Sequence, residues 1–131
     1  MNVYPAAADA FLAGSINILT DDVRAQLVGA GYSYDPGHEF LSSVPDGERI
    51  SSPVVVAVDH VAGGVVFVGP VTFAAVAAGH VVTGVVFYVD GVDDSARRLV
   101  SFHDRRADTV PLSAATNGGD ITLTFDRLLK I

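Results

Sequence analysis

The sequence predicts a mainly β domain: an antiparallel β-sandwich, or the same strands closed into a barrel, with one short helix near the N-terminal end. Three observations predict it. Valine-rich runs succeed one another from Val54 to Val89. Turn residues punctuate those runs at Gly63-Gly64, Gly69-Pro70 and Gly79-His80. Finally, Asn117-Gly118-Gly119 is followed at once by apolar/polar alternation, with Ile121, Leu123 and Phe125 on one side and Thr122 and Thr124 on the other. Short strands separated by turn signals argue for a sandwich or barrel. A chain of 131 residues is most simply one domain, 1–131, and is long enough to bury a proper core.

In chain order, residues 5–13 read as a helix. Pro5 suits the first helical position, Ala6, Ala7, Ala8 and Ala10 are strong helix formers, and Gly14 is a stop signal. Its apolar side is expected to be Ala7, Ala8, Phe11 and Leu12. So short a helix must pack on something to persist. Val23, Ala25 and Leu27 alternate with Arg24 and Gln26, which favours a strand. The preceding Thr20-Asp21-Asp22 could instead cap a second helix, and that alternative stays open. From Gly29 to Ser52 the glycines and prolines predict a long loop, with one helical turn at His38–Ser43. Its aromatics are expected to pin it to the body.

Val54–Val61 and Val65–Val68 should form a hairpin around Gly63-Gly64. Val71, Phe73 and Ala75 share a face of the next strand. Val81–Val89 is apolar on both faces, as a central strand covered on both sides would be. Asp90-Gly91 with Asp93-Asp94 turns the chain into Arg97–Asp104, where Leu99 takes one face and Val100 and Phe102 the other. Ala114–Gly119 reads as a loop. The closing strand is expected to run to the last residue and dock there.

Composition narrows the function classes. The chain has no cysteine, so disulfides and thiolate metal sites are excluded. Half its residues are hydrophobic and mean hydropathy is +0.42, which implies apolar surface that meets another protein. No apolar run reaches the roughly 18 residues of a membrane span, and no secretory leader is evident. The net charge of −7 opposes a phosphate backbone. The pairs Arg97-Arg98 and Arg105-Arg106 lie beside Asp93, Asp94, Asp104 and Asp108, so local salt bridges are expected. Neither nucleic acid nor a membrane is therefore an expected partner.

Candidate chemistry fails at the level of spacing. His38-Glu39 opens like a zinc-protease helix, but Ser42 stands where the second histidine is required. The other histidines, His60, His80 and His103, lie far apart along the chain. Asp21-Asp22 and Asp93-Asp94 are paired acids, yet the turn lacks the oxygen ladder of an EF-hand, and turn aspartates bond their own backbone. Gly29-Ala30-Gly31 misses the third glycine of a dinucleotide fingerprint, since Tyr34 occupies its place. No nucleophile elbow is present. The expectation is no enzyme, no catalytic residue, no cofactor and no metal.

Three further segments stand out by their order and spacing. The first runs from Ala10-Phe11-Leu12-Ala13-Gly14-Ser15-Ile16-Asn17 into Leu19-Thr20-Asp21-Asp22-Val23-Arg24-Ala25-Gln26-Leu27-Val28. The second is Tyr34-Asp35-Pro36-Gly37-His38-Glu39-Phe40-Leu41-Ser42-Ser43-Val44-Pro45, and the third is Asn117-Gly118-Gly119-Asp120-Ile121-Thr122-Leu123-Thr124-Phe125-Asp126. Val71-Thr72-Phe73 and Gly84-Val85-Val86-Phe87-Tyr88-Val89-Asp90 add to them. Together these segments resemble a recurring family of small tailed-bacteriophage virion structural proteins. The pattern departs at its end: similar proteins often carry Trp at the position of Phe125 and an Asn/Gly-rich turn after Asp126, where Arg127-Leu128-Leu129-Lys130 follows here.

The resemblance implies a structural role in the virion with no catalytic residues. The first expectation is a capsid decoration or minor capsid protein on the outer face of the head. It would bind assembled major capsid protein and associate with itself, for instance as a trimer. Tyr4, Tyr32, Tyr34 and Phe40 are the candidate partner contacts. The alternatives are a tail protein that self-associates into a ring or tube, and a carbohydrate-binding β-sandwich. The latter is poorly served by a chain with no Trp and four Tyr.

Overall fold

The computed structural model describes residues 2–105, 111–125 and 127–130. The elements are β1 (Asn2–Val3), α1 (Pro5–Leu12), β2 (Val23–Val28), β3 (Val54–Val55), β4 (Val58–Ala62) and β5 (Val65–Val68). They continue with β6 (Val71–Phe73), β7 (Val81–Val82), β8 (Gly84–Val89), β9 (Arg98–His103), β10 (Ala114–Ala115), β11 (Ile121–Leu123) and β12 (Leu129–Lys130). A five-stranded sheet in the order β1-β9-β8-β2-β3 forms the frame, and every pairing is antiparallel. Three small sheets, β12-β5-β4, β11-β6 and β10-β7, supply the second layer. The result is the mainly β, sandwich-like architecture that the sequence predicts. No helix among the described residues is long and apolar enough to cross a membrane.

The frame is covered on both faces. On one, Ala25, Leu27, Val85, Phe87 and Val100 pack against Val66, Phe73, Leu123, Phe125, Leu128 and Leu129 from the small sheets and the C-terminal segment. On the other, Val28, Val86, Tyr88, Leu99 and Phe102 pack against Tyr4, Ala7, Tyr32, Leu41 and Val44. Every residue from Gly84 to Tyr88 is buried, which is what a strand apolar on both faces requires. Gly84 opens β8 because a side chain there would collide with Phe102: a Cβ would lie 2.6 Å from its ring.

Local signals acted as expected where both partners are near in sequence. Gly63 and Gly64 have φ of 59° and 76°, and Ala62 pairs with Val65 across them. Two successive left-handed residues match the twist of a two-residue hairpin. Residues 23–28 are the strand β2, so the helical alternative there is removed. In α1, Ala7, Ala10 and Phe11 face the sheet. Leu12 does not: it is 80% exposed, because it sits about 140° around the helix from Ala7, outside the 7/10/11 stripe. Past the helix, Gly14 (φ 78°) lets Ser15 N–H reach the Ala10 carbonyl.

Elsewhere, expected single strands divide because the chain changes sheets. Val54–Val61 becomes β3 on the frame and β4 in the second layer. Val81–Val89 divides at Thr83, whose N–H bonds Val28 O, into β7, which pairs with β10, and β8. The two residues of β10 fall inside Ala114–Gly119, which the sequence reads as a loop. Ala75 leaves its strand with φ 48° and is exposed, and Val76 takes the core position instead. The closing strand is two elements: β11 pairs with β6, and β12 pairs with β5. Leu123 and Phe125 nevertheless fill the core as expected.

Val100 and Phe102 do not share a face. Phe87 pairs with Ser101 and Tyr88 with Leu99, so Val100 is the extra residue of a bulge. The bulge rotates Val100 into the core on the Phe87 side, leaving Leu99 and Phe102 together on the other.

Candidate functional site

The long loop is where the sequence concentrates its candidate contacts, and the structure shows how it is held. It spans the second face of the frame from edge to edge. On the β9 edge, Leu41 N–H bonds Arg97 O and Leu99 N–H bonds Glu39 O, so the loop prolongs the edge that β1 begins. On the β2 edge, Gly29 N–H bonds Glu48 O and Ile50 N–H bonds Leu27 O. Between them, the helical turn expected within His38–Ser43 is a 3-10 turn at Leu41–Ser43, and a second 3-10 turn follows at Asp46–Glu48. Leu41 and Val44 point inward and are almost fully buried.

Tyr4 and Tyr32 lie in the core rather than at a surface, with exposures of 0% and 5%. Their hydroxyls are 2.5 Å apart, and the Tyr32 hydroxyl is 3.1 Å from His38 Nδ1. With Tyr4 donating to Tyr32 and Tyr32 donating to His38, each proton has an acceptor. His38 Nε2 lies 3.9 Å from Asp35 Oδ2. Burial pushes the Tyr4 and Tyr32 phenols upward from their ordinary range, so both stay protonated near neutrality and the chain acts as a structural strut. Tyr4→Phe is expected to cost about 1 kcal/mol in urea unfolding, one net hydrogen bond. A loss above about 3 kcal/mol would mean that the hydroxyl chain holds far more than one contact.

Tyr34 and Phe40 are half-buried. The Tyr34 hydroxyl donates to Val3 O at 2.8 Å, and its ring stacks 6.4 Å from that of Phe102. Arg98 lies over the Phe40 ring, 4.9 Å from its centre. A shallow groove of about 320 Å³ opens beside Tyr32 and Tyr34, walled by Asn2, Ser33, Thr83 and Asp104. Two of the four predicted contact residues thus keep partial exposure, and two, Tyr32 and Tyr34, line this groove.

The conspicuous polar constellation is one that sequence reasoning saw in part. Arg24 meets Asp22 and Asp90 at 3.0 and 3.4 Å. Asp90 takes Arg97 at 2.8 Å, Arg97 reaches Asp94 at 2.7 Å, and Asp94 takes Arg49 at 2.7 Å. Arg49 also approaches Asp46 at 3.3 Å, and its Nη2 donates to the carbonyls of Leu41 and Val44. Charges of alternating sign thus run from β2 through the β8–β9 turn to the loop. Arg49 Nε is the one buried side-chain polar atom among the described residues without a hydrogen-bond partner.

The expected pairing of Arg97 with Asp94 is present. Asp93 instead accepts from Ser95, and Arg98 stacks on Phe40. Arg106 and Asp108 lie outside the described residues. The hydrogen bond from Arg97 holds Asp90 below the usual carboxylate range; Arg49 and then Arg97 do the same for Asp94.

No group of histidines and carboxylates among the described residues is arranged to hold a metal ion. The four histidines serve four settings: His38 on Tyr32, His60 stacked on Phe67 at 4.5 Å, His80 bonded through its backbone to Thr116, and His103 in the core. Asp90 and Asp94, at the acidic turn, spend their oxygens on arginines. These groups can brace loops and carry a salt-sensitive surface field. No protein family, curated protein or solved structure matches the chain.

Proposed function

We propose that the protein is a structural component of a tailed-phage virion, of the capsid decoration or minor capsid type. It binds assembled major capsid protein on the outer face of the head and associates with its own copies. The observation that carries this reading is the three-segment sequence resemblance, whose segments fall on α1 to β2, on the loop spanning the frame, and on β11. Each is framework in this fold, as suits a protein whose product is a shape.

Surface features support it. Leu19, Val55 and Val92 are exposed apolar residues, with Val92 93% exposed. Strand β4 pairs only with β5 among the described residues and leaves its outer edge open. Tyr34, Phe40 and the adjoining groove offer an aromatic contact. A net charge of −7 favours the outside of a DNA-filled shell. On a lattice of many copies, weak contacts add through linked binding.

Cryo-EM and quantitative mass spectrometry of particles from the encoding phage test the reading. The expected result is this chain on the head surface at a fixed ratio to major capsid protein. Its absence from virions would overturn the proposal. Rings or tubes formed by the purified chain at micromolar concentration would move it to the tail.

A further inference from the structure

His103 is the buried histidine, 4% exposed. Its Nε2 lies 2.9 Å from the backbone oxygen of Leu128. A carbonyl can only accept, so Nε2 carries the hydrogen and donates it across the layers to the C-terminal segment. The ring meets Phe87 and Phe125 edge-on, at 5.1 and 4.9 Å between centres, and Ser101 Oγ is 3.5 Å from Nε2. Among the described residues, the segment around Leu128 is otherwise held by the Leu128 N–H bond to Val66 O at 2.8 Å, the two-residue pairing of β12 with β5, the approach of β12 to β1, and the buried side chains of Leu128 and Leu129. The frame strands β8 and β9 pair over nearly their whole length.

We propose that His103 is an acid-operated latch: protonation of its ring releases the C-terminal segment carrying Leu128 and Leu129 from the second layer while the five-stranded frame stays folded. Burial favours this outcome, because the ring is closed in by Phe87 and Phe125 and an imidazolium there is cut off from water. The Leu128 carbonyl and Asp104, on its own strand, favour the imidazolium in the closed form, while Arg127, on the segment that would leave, and the chain's amino-terminal charge oppose it. β8 presents Val85 and Phe87, and β5 presents Val66, none of which titrates. Burial is the main cause that lowers His103 from 6.5 to about 4. An open segment hydrates the ring and removes the Arg127 repulsion, so the open form takes up the proton more readily. Opening is therefore suppressed above pH 6.5 and favoured progressively as pH falls toward 4.

Native-state hydrogen exchange on the full chain, corrected for the intrinsic pH dependence, reads the latch directly. Protection at Leu128 and Leu129 is expected to fall about tenfold or more between pH 7 and 4.5, with β8 and β9 unchanged. In His103→Gln, whose amide can still donate to Leu128 O but does not titrate, that protection should not depend on pH. Equal loss in the variant, no loss in the wild type, or simultaneous loss throughout the frame would each overturn the proposal. If the variant does not fold, an NMR titration of the His103 ring in the wild type decides instead. The ring must titrate together with the opening, and a ring that titrates while the segment stays protected overturns the latch.

Discussion

Phe87→Ala is expected to lower the free energy of unfolding by about 3–5 kcal/mol. Phe87 is fully buried at the middle of β8. Its ring packs edge-on against His103 and Phe125, at 5.1 and 5.4 Å, and so joins the frame to the C-terminal segment. Truncation leaves a cavity between layers that cannot collapse, because β8 is held by strands on both sides. A domain of this size has about 5–15 kcal/mol in all, so the variant should unfold at a much lower urea midpoint with an unchanged slope. A loss under about 1 kcal/mol would contradict a close-packed junction at this ring.

Asp94→Asn is the second large effect, expected at about 2 kcal/mol near neutral pH. The carboxylate accepts from both Arg49 and Arg97 at 2.7 Å, and charge-assisted bonds are the stronger kind. The figure is kept low because the Asp94 side chain is 35% exposed and solvent screens the pairs. The effect carries a pH signature. Asp94 is depressed in the folded state, so its contribution is present above the ordinary carboxylate pKa and is lost as pH falls through the folded value. The gap between wild type and variant should therefore narrow on acidification below about pH 4. A gap independent of pH would show that the side chain acts through shape alone. This window lies below the one assigned to His103, so the two groups can be separated in a single pH series.

What the sequence reveals of this fold depends on how local the deciding interaction is. The Gly63-Gly64 hairpin is legible because two glycines set the turn by themselves. The central position of β8 is legible because Val85, Val86, Phe87 and Tyr88 leave no face for water. The bulge at Val100 is not, since it comes from pairing with β8 and has no residue signature of its own. Strand divisions at Thr83 and between Val55 and Val58 are hidden for the same reason: the valine run reads alike whichever sheet it joins. Leu41 and Val44 are single apolar residues among turn signals, and the bonds that hold them inward, from Leu41 N–H to Arg97 O and from Arg49 to both carbonyls, leave no mark in their own residue types.

The site was less legible than the fold. Tyr4 and Tyr32 have the amphipathic character of contact residues, but the same character suits a buried ring with a bonded hydroxyl. The arginine–aspartate chain was visible only where its members are close in sequence, as with Arg97 and Asp94. Arg49 joins it across 45 residues.

The pairing of Asn2 with Phe102 and of Val3 with Ser101 has a consequence for biosynthesis. Once made, β1 has no partner until about a hundred further residues have followed it. At about 5–20 residues per second that wait is on the order of 5–20 s. During it Tyr4 and Ala7 cannot reach the face that they later seal, since Leu99 and Phe102 have not yet been made. The frame can therefore close only late in translation, with its oldest strand inserted after its youngest.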